Sequence, residues 1–96
     1  MKHNILRGKL LSFLKYVYPE GADQETVTKV LFQYHKVEDI EEALEYLADK
    51  EYIEKKELPH PYKRGELYRW YKIKPSGIDL LEGNLPPDPG IVPVRE

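Results

Sequence analysis

Cysteine is absent from this chain, which removes disulfides, thiolate catalysis and thiolate-bound zinc together and suits a reducing compartment. Long apolar runs are absent too, and nothing approaches the ~20 residues that span a bilayer. Basic residues spread through the N-terminal stretch MKHNILRGKLLSFLKYVY without a small-residue cleavage site, which argues against a signal peptide. The expectation is a cytoplasmic protein with no membrane partner. No glycine-rich phosphate loop occurs. The three histidines, His3, His35 and His60, fall at a terminus, a turn and a loop, without the paired helical spacing of a metal site. Carboxylates abound, but on a solvated face that lacks the burial needed to tune them as acids or bases. These absences predict no enzyme, no metal and no cofactor.

What is there suffices for one small core: 96 residues, 41% hydrophobic, with eight tyrosines offsetting a shortage of large aliphatic side chains in a chain that is 33% charged. Leu6, Leu10, Phe13, Leu14 and Val17 recur at helical spacing and predict a first helix over about residues 5–18, stopped by Pro19 and Gly21. Asp23 stands before QETVTKVLFQYH as an N-cap whose carboxylate would accept free amide hydrogens. Val27, Val30, Leu31 and Tyr34 would then face inward. Val37, Ile40, Ala43, Leu44 and Leu47 form the apolar stripe of a third helix. Beyond Glu51 the period changes. YIEKKEL and LYRWYKI read as strands flanking the loop PHPYKRGE, whose two prolines and one glycine predict a long hairpin tip. On LYRWYKI one of the pairs Tyr68/Trp70 and Arg69/Tyr71 should sit on the core, with Trp70 the favoured core residue. PSGIDLLEG predicts a short helix stopped by Gly83, and NLPPDPGIVPVRE a proline-rich tail without regular structure, in which Ile91, Val92 and Val94 are the apolar anchors.

The order helix, helix, helix, hairpin, short helix, and the stretches ALEYLADKEYIEKKE and LYRWYKIKPSGIDLLEG, resemble winged helix-turn-helix proteins. There a recognition helix ends, a wing follows, and a Thr-Pro-x-Gly turn opens the last helix. The resemblance covers about residues 5–83. The stretch GIDLLEGNLPPDPGI is also similar in layout to small winged-helix proteins of Mu-like prophages. It implies an α+β fold with a three-helix core, a two-stranded wing and a short C-terminal helix over residues 1–83, followed by the tail 84–96. It also implies a role in DNA binding and transcription regulation, with the third helix in the major groove and dimers built on the first and last helices. One position departs: Lys74 stands where the pattern has a capping hydroxyl, and lysine accepts no amide hydrogen. Either Ser76 moves the cap along, or the last helix is short and frayed.

The charge runs against the expected docking. Residues 36–51 carry seven carboxylates against two lysines, a net of −5 that a phosphate backbone repels. Residues 1–18 and 59–74 each sum to +4. DNA contact is therefore expected through a basic wing, His60, Tyr62, Lys63, Arg64, Arg69 and Lys72, joined by the N-terminal cations. An ordinary solvated hairpin is the plainer reading, since exposed hairpins are commonly basic. On the acidic helix, Glu38, Glu42, Glu45 and Tyr46 share a face that would suit a basic protein partner, exclude DNA or simply keep the chain soluble. Ile5, Leu11, Tyr16 and Tyr18 exceed what one core face needs. They would form a homodimer interface or a groove for the tail, unless the domain buries them itself.

Overall fold

The computed structural model describes residues 3–94. Its first helix, α1 (Asn4–Tyr16), buries Leu6, Leu10, Leu11 and Leu14 along one stripe. A turn at Gly21, which takes a left-handed φ of 85°, leads into a two-residue strand, β1 (Ala22–Asp23). Helix α2 (Gln24–Leu31) has only two turns, so it buries a narrow stripe of Val27 and Leu31. Val30 and Tyr34, expected inside, are 47% and 74% exposed, Val30 because it lies off that stripe and Tyr34 because the helix has already ended. Asp23 does not cap α2 as expected. Its carboxylate accepts the Thr26 hydroxyl instead of a backbone amide.

Helix α3 (Val37–Asp49) packs Ile40, Ala43, Leu44 and Leu47 against α1. It closes with Glu51 in the left-handed region, φ 64°, where the Glu51 and Tyr52 amides donate back to the carbonyls of Ala48 and Leu47 at 3.0 Å each. Strands β2 (Ile53–Pro59) and β3 (Leu67–Ile73) pair antiparallel, and β1 adds to the far edge of β3, giving the order β1-β3-β2. The described residues thus form an α+β fold of four helices and one three-stranded antiparallel sheet.

Register decides which face of β3 is inside. Ile53 aligns with Ile73 and Ala22 with Tyr71, and all four are buried. Tyr71 is therefore the core aromatic, and Trp70 lies on the opposite face with its indole N–H donated to the Glu20 carbonyl at 2.8 Å. This overturns the expectation that Trp70 packs in the core. Leu11, expected among the surplus side chains of the first helix, is fully buried as well. Helix α4 (Pro75–Leu81) starts at Pro75, whose fixed φ and missing N–H suit a first helical position. Lys74 provides no cap, and neither does Ser76, whose hydroxyl donates to the Glu51 carbonyl at 2.7 Å.

Over its described residues, 84–94, the tail has no helix or strand, yet it lies across α1 and α3. Ile91 is buried in the core, the Val92 amide donates to the Asn4 carbonyl at 2.9 Å, and Gly90 accepts from Arg7. Asp88 accepts from the Tyr52 hydroxyl at 2.9 Å and pairs with Lys50 at 3.3 Å. Burial alone would push the Asp88 carboxyl up, but the Gly90 amide, the Tyr52 hydroxyl and Lys50 outweigh it and hold the group below the usual carboxylate range. The apolar face of α1 is thus partly covered by the chain's own tail.

Candidate functional site

The hairpin of β2, β3 and the tip between them is the segment expected from sequence to be a wing, and is called the wing below. The tip is built around His60: its amide donates to the Glu66 carbonyl at 2.9 Å, and its Nδ1 accepts the amides of Tyr62 and Lys63 at 3.0 and 3.1 Å. These contacts make His60 the organiser of the turn. Gly65 supplies the positive φ that brings the chain back. Tyr62 is 91% exposed at the apex, beside exposed Lys63 and Arg64.

The six expected wing residues do not share one face. Arg69 follows the parity of Tyr71 and is held by Glu57, 3.6 Å across the strands, and by the Gln24 side chain. Lys72 lies on the outer face with Tyr68 and Trp70. Register brings Lys56 opposite Trp70 and Leu58 opposite Tyr68 on that same face, two neighbours not named from the sequence because only pairing reveals them. Lys63 meets Glu66 at a loose 3.9 Å in solvent, a pair of little strength. Lys56, Arg64 and Lys72 have no ion-pair partner among the described residues.

A shallow cleft of about 290 Å³ separates the wing from the start of α2, lined by both signs of charge: Asp23 and Glu25 against Lys63, Arg69 and His60. Burial first, then the carboxylates of Asp23 and Glu25, push the Tyr68 phenol up. Negative potential therefore marks the α2 side of the wing, and unpaired positive charge marks its tip and β2 side.

The N-terminal cations, expected to join the wing, are engaged within the fold. Arg7 lies over the Tyr46 ring at 3.6 Å, Lys9 contacts His35 and the Tyr34 ring, and Lys15 pairs with Glu82 at 3.3 Å. Burial first and Lys9 second lower the His35 pKa, with Asp39 pulling the other way.

On α3, Glu38, Glu42 and Glu45 are exposed and line a shallow groove with Glu41, Asp49, Arg7 and the half-buried Tyr46, so the expected face is assembled as a unit. Glu45 receives Lys55 at 2.8 Å, a hydrogen bond that raises the Lys55 pKa against burial. Glu38, Glu41, Glu42 and Asp49 have no cation within ion-pair reach among the described residues. Ligand atoms of His3, Asp39 and Glu42 converge within 4.8 Å of one another, a juxtaposition invisible in sequence because 35 residues lie between His3 and Asp39. Its His3 and Asp39 are partly buried and its Glu42 is exposed, and no polar residue among the described ones is fully buried behind it.

Of the dimer candidates, Ile5, Tyr16 and Tyr18 are 54%, 86% and 45% exposed, while Leu11 is internal. No helix among the described residues is long and apolar enough to cross a membrane. No protein-family model, curated protein or solved structure matches this chain.

Proposed function

We propose that this chain is a small winged helix-turn-helix protein, of the prophage type its sequence resembles, that contacts double-stranded DNA through its wing and takes part in transcription regulation. The element order α1, β1, α2, α3, β2, β3 with sheet order β1-β3-β2 supports the scaffold. One observation carries the mode of contact: among the described residues Lys56, Arg64 and Lys72 of the wing have no ion-pair partner, and outside it only Lys36 is equally free, whereas the cations of α1 are spent on internal partners and the third helix carries uncompensated carboxylates. Free Lys and Arg neutralise phosphates, and each neutralised phosphate steepens the salt dependence of binding.

The test is fluorescence anisotropy with a random-sequence duplex at two salt concentrations. Lys63→Glu with Arg64→Glu should weaken binding at least tenfold at low salt and reduce the log–log salt slope by about two. A double variant that binds as tightly as the parent would sink the wing reading.

A second reading has its own observation. The α3 groove, with Glu38, Glu42, Glu45 and Tyr46 on one face and four free carboxylates along its length, suits a basic protein partner on a scaffold that has lost DNA binding. In either reading Ile5, Tyr16 and Tyr18 are the surface a homodimer would use.

A further inference from the structure

We propose that the outer face of the wing is a stacking platform for unpaired bases, so that the preferred nucleic acid is single-stranded or locally opened. The inference rests on the wing reading above and names the ligand class of that surface.

Four aromatic rings run from the wing tip down β3. The centroids of Tyr62 and His60 are 6.2 Å apart, those of His60 and Tyr68 5.8 Å, and those of Tyr68 and Trp70 6.1 Å, each pair tilted or edge-to-face. The row lies opposite the core-facing side of β3 and ends in the open ring of Tyr62. Leu58, 48% exposed, sits across from Tyr68 and extends the apolar strip. Trp70 is half-buried and has its N–H satisfied by the Glu20 carbonyl, so the part of the ring left to solvent is offered as a face and not as a donor.

The flanks give the strip its partner. Lys56 stands across from Trp70, Lys72 lies two residues farther along the same face, and Lys63 sits at the tip. The outer face of the two wing strands has one carboxylate, Glu54, opposite Lys72. Asp23 and Glu25 border the α2 side, so a phosphate chain is steered to the β2 side, over Lys56. Aromatic rings interleaved with lysines take up bases by their faces and phosphates by charge, and this needs bases free of a duplex stack. A duplex offers the same phosphates but hides its base faces, so it satisfies the lysines and leaves the rings idle.

Trp70 is the only tryptophan in the chain, so its emission reports on the platform directly. The experiment titrates the full chain with a 12-residue oligothymidylate and with a 12-base-pair duplex, reading Trp70 fluorescence and anisotropy at low salt. The expected result is tighter binding of oligothymidylate with quenching of Trp70, and a roughly tenfold loss of single-strand affinity for Tyr62→Ala and for Tyr68→Ala, severalfold larger than the loss either variant shows on the duplex. Tyr62 is exposed at the tip, so its replacement tests stacking even if Tyr68→Ala perturbs the sheet. Duplex bound as tightly as the single strand, or single-strand binding indifferent to Tyr62→Ala, would overturn the platform and leave wing-led contact standing. Binding of neither would overturn both.

Discussion

Tyr71 occupies the position where the sheet meets the helices, 2% exposed, and burial, with Glu45 a smaller contributor, pushes its phenol up to about 12. A folded-state pKa raised above the unfolded value means a stabilisation fully present below pH ~10 and lost as pH climbs toward 12. The loss is on the order of 2 kcal/mol. Thermal melts between pH 8 and 12 should therefore show a midpoint that falls above pH 10. Tyr71→Phe should flatten that fall while costing less than about 1 kcal/mol at neutral pH, because the hydroxyl has no hydrogen-bond partner among the described residues. An unchanged alkaline slope in the variant would place the pH sensitivity elsewhere. The alternation of LYRWYKI showed that one pair had to be inside, but not which. Parity is set by the partner strand, here by Ile53 facing Ile73, and a one-residue slip would exchange every side chain between faces. The same ignorance of register hid Lys56 and Leu58 from the candidate site, and made Trp70 look like core.

Among the elements, helices with an unbroken apolar stripe were legible and the short pieces were not. Residues 37–49 announced α3 by period alone. β1 is two residues long and exists because β3 offers an edge to pair with, a fact written nowhere near Ala22. The tail is the clearest case. Its prolines forbid regular structure, as read from sequence, but its docking depends on small residues on both sides, including Gly8 in the middle of α1. The Val92 carbonyl lies so close to the Gly8 Cα that a Cβ there would collide with it. In an exposed helix interior, glycine to alanine stabilises by about 1 kcal/mol. Here Gly8→Ala should destabilise by about 1–3 kcal/mol and lift the tail, since the obstacle is backbone and cannot rotate away. Hydrogen exchange reads this directly: the Val92 amide, bonded to Asn4, should be protected in the parent and exchange freely in the variant. A more stable Gly8→Ala protein with Val92 still protected would mean that the strap is not held there.

For the whole molecule, the separation of charge is the property that assigns roles to its surfaces, and distance makes it testable. The acidic helix touches the sheet where Lys55 meets Glu45, at the base of the wing. Five strand residues then lead to His60, roughly 16 Å at ~3.3 Å per residue. That is about twice the ~8 Å over which exposed charges act at physiological salt. A duplex held at the wing tip should therefore be nearly blind to Glu38, Glu41 and Glu42 of α3. Replacing these three by glutamine should change duplex affinity by less than about twofold at physiological salt, and by more at low salt, where the screening length grows. If α3 instead lay against the groove, as the recognition helix of a winged-helix protein ordinarily does, removing three repelling charges would raise affinity severalfold at both salts. The triple variant thus separates a wing that binds at arm's length from a helix merely tolerated by DNA. Should a basic partner occupy the α3 groove, the same variant would weaken that complex severalfold at physiological salt while changing duplex affinity by less than about twofold, because at that salt the three charges are screened from the wing tip.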